Sequence, residues 1–138
     1  MADKLAASLT IIPSANQGDV ISPTFTNDQF RGGEFILRQT AQSSTSSFAN
    51  ANIQGLVPGT TQWYTIGTIT PATAATFTKH LTIYPNASTA NDSTTLQPSA
   101  APYAINGFLP NTWRVSSTNT AATTSATATF SISANLYA

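Results

Sequence analysis

The last fourteen residues, SATATFSISANLYA, alternate with a strict period of two. Ala126, Ala128, Phe130, Ile132, Ala134 and Leu136 fall on one side; Ser125, Thr127, Thr129, Ser131, Ser133 and Asn135 fall on the other. Side chains leave an extended backbone on alternate faces, so this segment reads as one long strand with a dry face and a wet one. A dry face has to be covered by a second layer, which commits the chain to a packed sheet. The wet face carries hydroxyls and an amide and no charge.

The remainder of the chain is punctuated like an all-β protein. Short runs rich in Thr and aromatic residues are broken at Pro13, Gly18, Pro23, Gly32-Gly33, Pro58-Gly59, Pro71, Pro85, Pro98, Pro102, Gly107 and Pro110. Thr and aromatics suit a pleated surface, and Gly and Pro turn the chain. Strands are predicted near residues 5–12, 19–26, 34–41, 47–56, 61–69, 76–84, 111–118 and 125–137. In the 76–84 run Phe77, Leu81 and Ile83 point inward, and Lys79 interrupts that set, as a residue at a sheet edge would. The Ala-rich stretches at 72–75 and 100–104 lack a 3.6-residue apolar stripe, so no significant helix is expected. About eight short strands in 138 residues predict a single-domain antiparallel β-sandwich, jelly-roll or immunoglobulin-like.

Charge is scarce. Five basic and five acidic residues make up 7% of the chain and cancel, against roughly 25% charged residues in ordinary domains. A folded chain of 14.4 kDa exposes about 6,800 Å² and so carries roughly one charge per 700 Å². Near-zero net charge favours association, and a small homo-oligomer, a trimer first, or tight attachment to a larger shell is expected. Lys4, Arg31, Arg38, Lys79 and Arg114 are scattered, which argues against nucleic acid and anionic membrane as partners. No cysteine is present, which removes disulfides, zinc thiolates and Cys nucleophiles. At the start, Leu5, Ala7, Leu9 and Ile11 alternate with Ala6, Ser8 and Thr10, the pattern of a first strand and not of a signal peptide. No apolar run approaches the ~20 residues of a membrane span.

Catalytic chemistry finds little to stand on. His80 is the one histidine, placed on the hydroxyl face of its run without a carboxylate nearby in sequence, and reads as a surface residue. No G-x-S-x-G elbow occurs. Asp3, Asp19, Asp28, Glu34 and Asp92 are separated, with neither a glycosidase pair nor a calcium ladder legible. No catalytic residue, metal site or cofactor is therefore assigned. Asn86-Ala87-Ser88 and Asn91-Asp92-Ser93 match the glycosylation pattern, as a Ser/Thr/Asn-rich loop does by chance. Trp63-Tyr64 and Trp113 lie inside strand patterns, where core packing outweighs a sugar platform.

Between Asn86 and Gly107 little alternates, and a loop of this length is usually functional or mobile. Leu96, Tyr103 and Ile105 give it apolar anchors, so residues 86–107 are expected to form an interaction arm. LPNTWRV, residues 109–115, follows it. Trp113 and Val115 share one face, and Arg114 points the other way. With so few charges available, Arg114 is expected to hold an assigned partner, Glu34 or an Asp, within the subunit or across an interface.

GGEFILRQTA at 32–41, WYTIGTIT at 63–70, TKHLTIYPNA at 78–87, LPNTWRV at 109–115 and SISANLYA at 131–138 together resemble a family of small structural proteins of tailed bacteriophages. The chain departs from that pattern in its long neutral 86–107 segment and in SSTNTAATTS at 116–125. The resemblance implies a virion component assembled in the host cytoplasm. Combined with the neutral surface, it leads to the expectation of a non-enzymatic capsid decoration or cement protein bound to the major capsid protein or other virion subunits. Interface residues are then expected at Leu96, Tyr103, Ile105 and Arg114. A tail or neck subunit, or another capsid component, is the nearest alternative. A carbohydrate-binding or adhesin module using Trp63, Tyr64 or Tyr103 is the alternative of another class, and an exposed coplanar aromatic pair would mark it.

Overall fold

A computed structural model describes residues 6–44, 47–72, 74–85, 104–119 and 127–138. In chain order the strands are β1 (Ala6–Gln17), β2 (Val20–Ile21), β3 (Phe25–Thr26), β4 (Gly32–Gln42), β5 (Ala51–Leu56), β6 (Trp63–Ile69), β7 (Phe77–Tyr84), β8 (Ala104–Asn106), β9 (Thr112–Ser117) and β10 (Ala128–Tyr137). The described residues contain no helix. One sheet runs β1-β10-β4-β7-β8; the other runs β2-β9-β5-β6, with β3 also on β9.

Read β2 and β3 as one strand interrupted at Pro23, and set β8 aside. The eight that remain pair as nested hairpins: first with last, second with seventh, third with sixth, fourth with fifth. That nesting, wrapped into two facing sheets, is the jelly roll. The expected sandwich is thus present, and of its two expected forms the topology selects the jelly roll. Against the expected strands, β1 continues through Pro13 to Gln17, β5 starts only at Ala51, and two further segments differ. The 19–26 segment is two short strands, because a proline cannot donate to the ladder it interrupts. Residues 104–106, expected within an irregular arm, add to β7 in parallel, the one non-antiparallel strand pairing among the described residues.

The core lies between the sheets. Ala128, Phe130, Ile132, Ala134 and Leu136 of β10 are all buried, as their period of two requires. Phe35 and Leu37 of β4, Leu81 and Ile83 of β7, Ile53 of β5, and Trp113 and Val115 of β9 face them. Trp113 is clasped by Phe25, stacked at 4.6 Å, and by the edge of Phe35 at 5.7 Å. Ile11 and Ile12 are consecutive and both buried, which alternation cannot give. A register shift between Thr10 and Ile12 supplies the extra residue that turns both inward. The sheets approach closely at Gly67, where a Cβ would stand 2.6 Å from Ile105 Cδ1 and 2.8 Å from Leu81 Cδ2. The β5–β6 turn needs Gly59, whose φ of 75° is strained for residues with a Cβ.

Candidate interaction surfaces

The outer face of the β2-β9-β5-β6 sheet is a mat of uncharged side chains around one cation. Thr68 Oγ1 donates to Asn52 Oδ1 at 2.9 Å, and Asn52 Nδ2 donates to the Ser116 carbonyl at 3.4 Å. Alternation on β9 sends Arg114 to this face, opposite Gln54 of β5. Its Nε donates to Gln54 Oε1 at 2.8 Å, and its guanidinium lies 4.1 Å from the Trp63 ring centroid. The expectation that Glu34 or an Asp partners Arg114 within the subunit is corrected. Glu34 projects from the other sheet, Asp19 accepts from the Asn119 amide at 2.8 Å, and the partners are an amide and an indole face. The guanidinium is planar and weakly hydrated, which suits it to stacking on an aromatic ring. Trp63 is therefore an outward residue under a cation, whereas Trp113 takes the core role expected of both.

On the opposite sheet's outer face a polar row crosses four strands. Ser8 Oγ of β1 donates to Asn135 Oδ1 of β10 at 3.2 Å, and Asn135 Nδ2 donates to Glu34 Oε1 of β4 at 3.4 Å. Glu34 Oε2 lies 3.4 Å from His80 Nδ1 of β7. The carboxylate that sequence distance hid from His80 is supplied by strand pairing, two positions off the direct Glu34–Thr82 register. Tyr84 and Tyr137 meet edge to face at 6.3 Å near the same row. Burial, and then the charge of Glu34, raise the Tyr137 phenol above its ordinary value. Among the described residues no three His, Cys, Asp or Glu side chains gather.

Lys79 lies in the inward set it was expected to break. It is 1% exposed, opposite Leu37 on β4 and between Phe77 and Leu81 on its own strand. Gln39, the polar neighbour on that face, is committed at both ends. Its Nε2 donates to the Ser47 and Ala75 carbonyls at 3.3 and 3.1 Å, and its Oε1 accepts from the Ala49 amide at 2.9 Å. The Lys79 ammonium finds no hydrogen-bond partner among the described residues, and burial pulls its pKa below the ordinary lysine value. The edge expectation is met in part, since among the described residues β8 pairs only with Thr82 to Tyr84 of β7.

At one end of the sandwich, loops 27–31 and 107–111 are zipped together by Asn27. Its Nδ2 donates to the Phe30 carbonyl at 2.7 Å and the Leu109 carbonyl at 3.1 Å, while its Oδ1 accepts from the Phe30 amide at 2.9 Å. Beside this junction Phe108 is 70% exposed over a groove of about 530 Å³ that also takes in Asp28 and Arg31. Asn27 also borders an apolar cleft of about 210 Å³ between the sheets, lined by Leu9, Phe25, Phe30, Trp113 and Leu136. The sequence signal for Asn27 is the Asn27-Asp28 pair between strand patterns, which marks a turn but not the junction it holds.

Of the expected interface residues, Leu96 and Tyr103 lie outside the described residues, as does most of the 86–107 segment. Ile105 packs on the core from β8, so much of its apolar surface is spent within the subunit. Arg114 stands on an outer sheet face, partly buried. The aromatic contacts of the described residues include no exposed coplanar pair. Compared with known proteins, the chain matches no family model, no curated protein and no solved structure.

Proposed function

We propose that this chain is a non-enzymatic structural subunit of a tailed-phage particle, a capsid decoration or cement protein that binds the major capsid protein as a small homo-oligomer. The observation that carries the reading is the state of the two outer sheet faces. They carry few charges: Arg114 is held by Trp63 and Gln54, Glu34 by His80 and Asn135, and Arg38 stands exposed on β4. Interface cores are depleted in charge, and side chains already held by neighbours lose less freedom when a partner covers them. The jelly roll is an architecture of viral capsid and lectin domains, a fold-level analogy that adds modest support. The assignment to a tailed phage comes from the sequence resemblance alone.

A cement protein adds buried contact across capsid subunits and needs no reaction. Repetition over a symmetric shell lets each contact be modest, because avidity multiplies it. Quantitative mass spectrometry of purified particles is the test. A copy number that tracks the major capsid protein is expected. A few copies per particle would move the chain to the tail or neck, and absence from the particle would overturn the reading.

A further inference from the structure

Strand β1 is 12 residues long. Along one side it pairs with β10, and along the other it meets no strand among the described residues. An unpaired edge is a template for another strand unless something blunts it. Here the blunting is uneven. Register shifts on both sides of Ile12, with Pro13 between Ile12 and Ala15, break up the second half. Ala6 to Thr10 run in unbroken register against Tyr137 to Ser133 and contain no charge, proline or bulge.

The apolar cleft opens at this same edge. Leu9 supplies one wall from β1, and Phe25 from β3 supplies the facing one. Leu9, Phe25 and Phe30 are each only half-buried there, so on this side the layer between the sheets is left unfinished. A free backbone edge and an unfilled apolar cleft at one place describe a sandwich short of a neighbouring strand.

We infer that the neighbour is the same edge of a second copy, with Ala6–Thr10 paired antiparallel to its equivalent about a two-fold axis at Ser8. In such a contact the segment faces its own sequence, so any charge on it would confront a like charge across the axis. AASLT, residues 6–10, has none. The pairing joins the two β1-edged sheets into one continuous sheet. Ala7 then lies opposite Leu9 of the second copy on the inward face, and the two clefts meet across the axis. The inference rests on the homo-oligomer part of the reading above and on nothing about a virion, so it fails or stands separately from particle mass spectrometry.

Because the chain has no cysteine, Ser8→Cys introduces a single thiol at the axis. Directly opposed Cβ atoms in antiparallel strands are about 4.5–5.5 Å apart, and the roughly 3.5–4.5 Å of a disulfide is reached by a small shift of the two edge strands. Wild-type protein should sediment at about 29 kDa, twice the 14.4 kDa chain. Ser8→Cys should oxidise to a covalent dimer far faster than Thr40→Cys, whose thiol would be exposed on β4. Leu9→Lys, which sets two cations beside the axis, should sediment at the single-chain mass with an unchanged circular dichroism spectrum. A wild-type mass of one or three chains, a folded Leu9→Lys that stays dimeric, or equal oxidation of the two cysteine variants would overturn the inference. If Leu9→Lys does not fold, the wild-type mass and the cysteine comparison decide.

Discussion

Replacing Lys79 by methionine should stabilise this protein, although it removes one of the chain's five basic residues. The side chain is 1% exposed and its ammonium has no hydrogen-bond partner among the described residues. Opposite and beside it are Leu37, Phe77 and Leu81, against which a methionine of similar length packs without a polar end. A buried unsatisfied donor costs about 1–3 kcal/mol, and more when charged. Lys79→Met should therefore raise stability by about 1–3 kcal/mol at neutral pH, or roughly 4 °C in Tm per kcal/mol for a domain of this size. The pH dependence gives a sharper check. Burial depresses the folded-state pKa below the ordinary lysine value of 10.5, so between the two values the unfolded chain binds more protons. Wild-type stability then rises with pH through that window, and the penalty is fully present below it. The advantage of Lys79→Met should shrink as pH climbs towards 10.5. Tyr137, whose raised pKa weakens the fold above pH 10, affects both proteins alike and cancels in the difference. Chemical denaturation of both proteins from neutral to alkaline pH measures it. A destabilised Lys79→Met, or a gap independent of pH, would refute the reasoning and show that the ammonium reaches a partner or water.

Three further outcomes are expected. Phe130→Ala should cost about 3–5 kcal/mol by denaturant titration, since Phe130 is 1% exposed in the core, while Ser131→Ala on the outer face should be nearly silent. Asn27→Ala should cost about 2–4 kcal/mol, because the Phe30 amide and the Phe30 and Leu109 carbonyls lose their partner together; equal stability would mean that water replaces the amide freely. Glu34→Gln should lower the Tyr137 phenol pKa towards 10.0 by removing the nearby negative charge, read as phenolate absorbance in an alkaline titration, with the burial contribution left in place.

The fold was legible wherever period-two alternation ran long. β10, β7 and β9 follow from their own residues, because one strand face packs on the core and the other meets water. Alternation failed at Ile11-Ile12, where a bulge turns consecutive side chains inward, and at β8, whose three residues are too few to carry a pattern. The outward position of Arg114 follows from alternation, but its partner does not: scarce charge points to a carboxylate, whereas a guanidinium is satisfied here by an amide and a ring.

Composition and periodicity alone determined that this chain makes an all-β sandwich with sparsely charged outer faces. Those properties are local, set by which way each side chain leaves an extended backbone. Tertiary structure alone decided the nesting of the hairpins, the row from Ser8 through Asn135 and Glu34 to His80, and the cleft behind Leu9. Each joins residues far apart in the chain, through strand order and register that no single segment specifies. Lys79 shows both halves at once. Its parity puts it inward, and only the packing of β4 and β7 shows that its ammonium has no hydrogen-bond partner among the described residues.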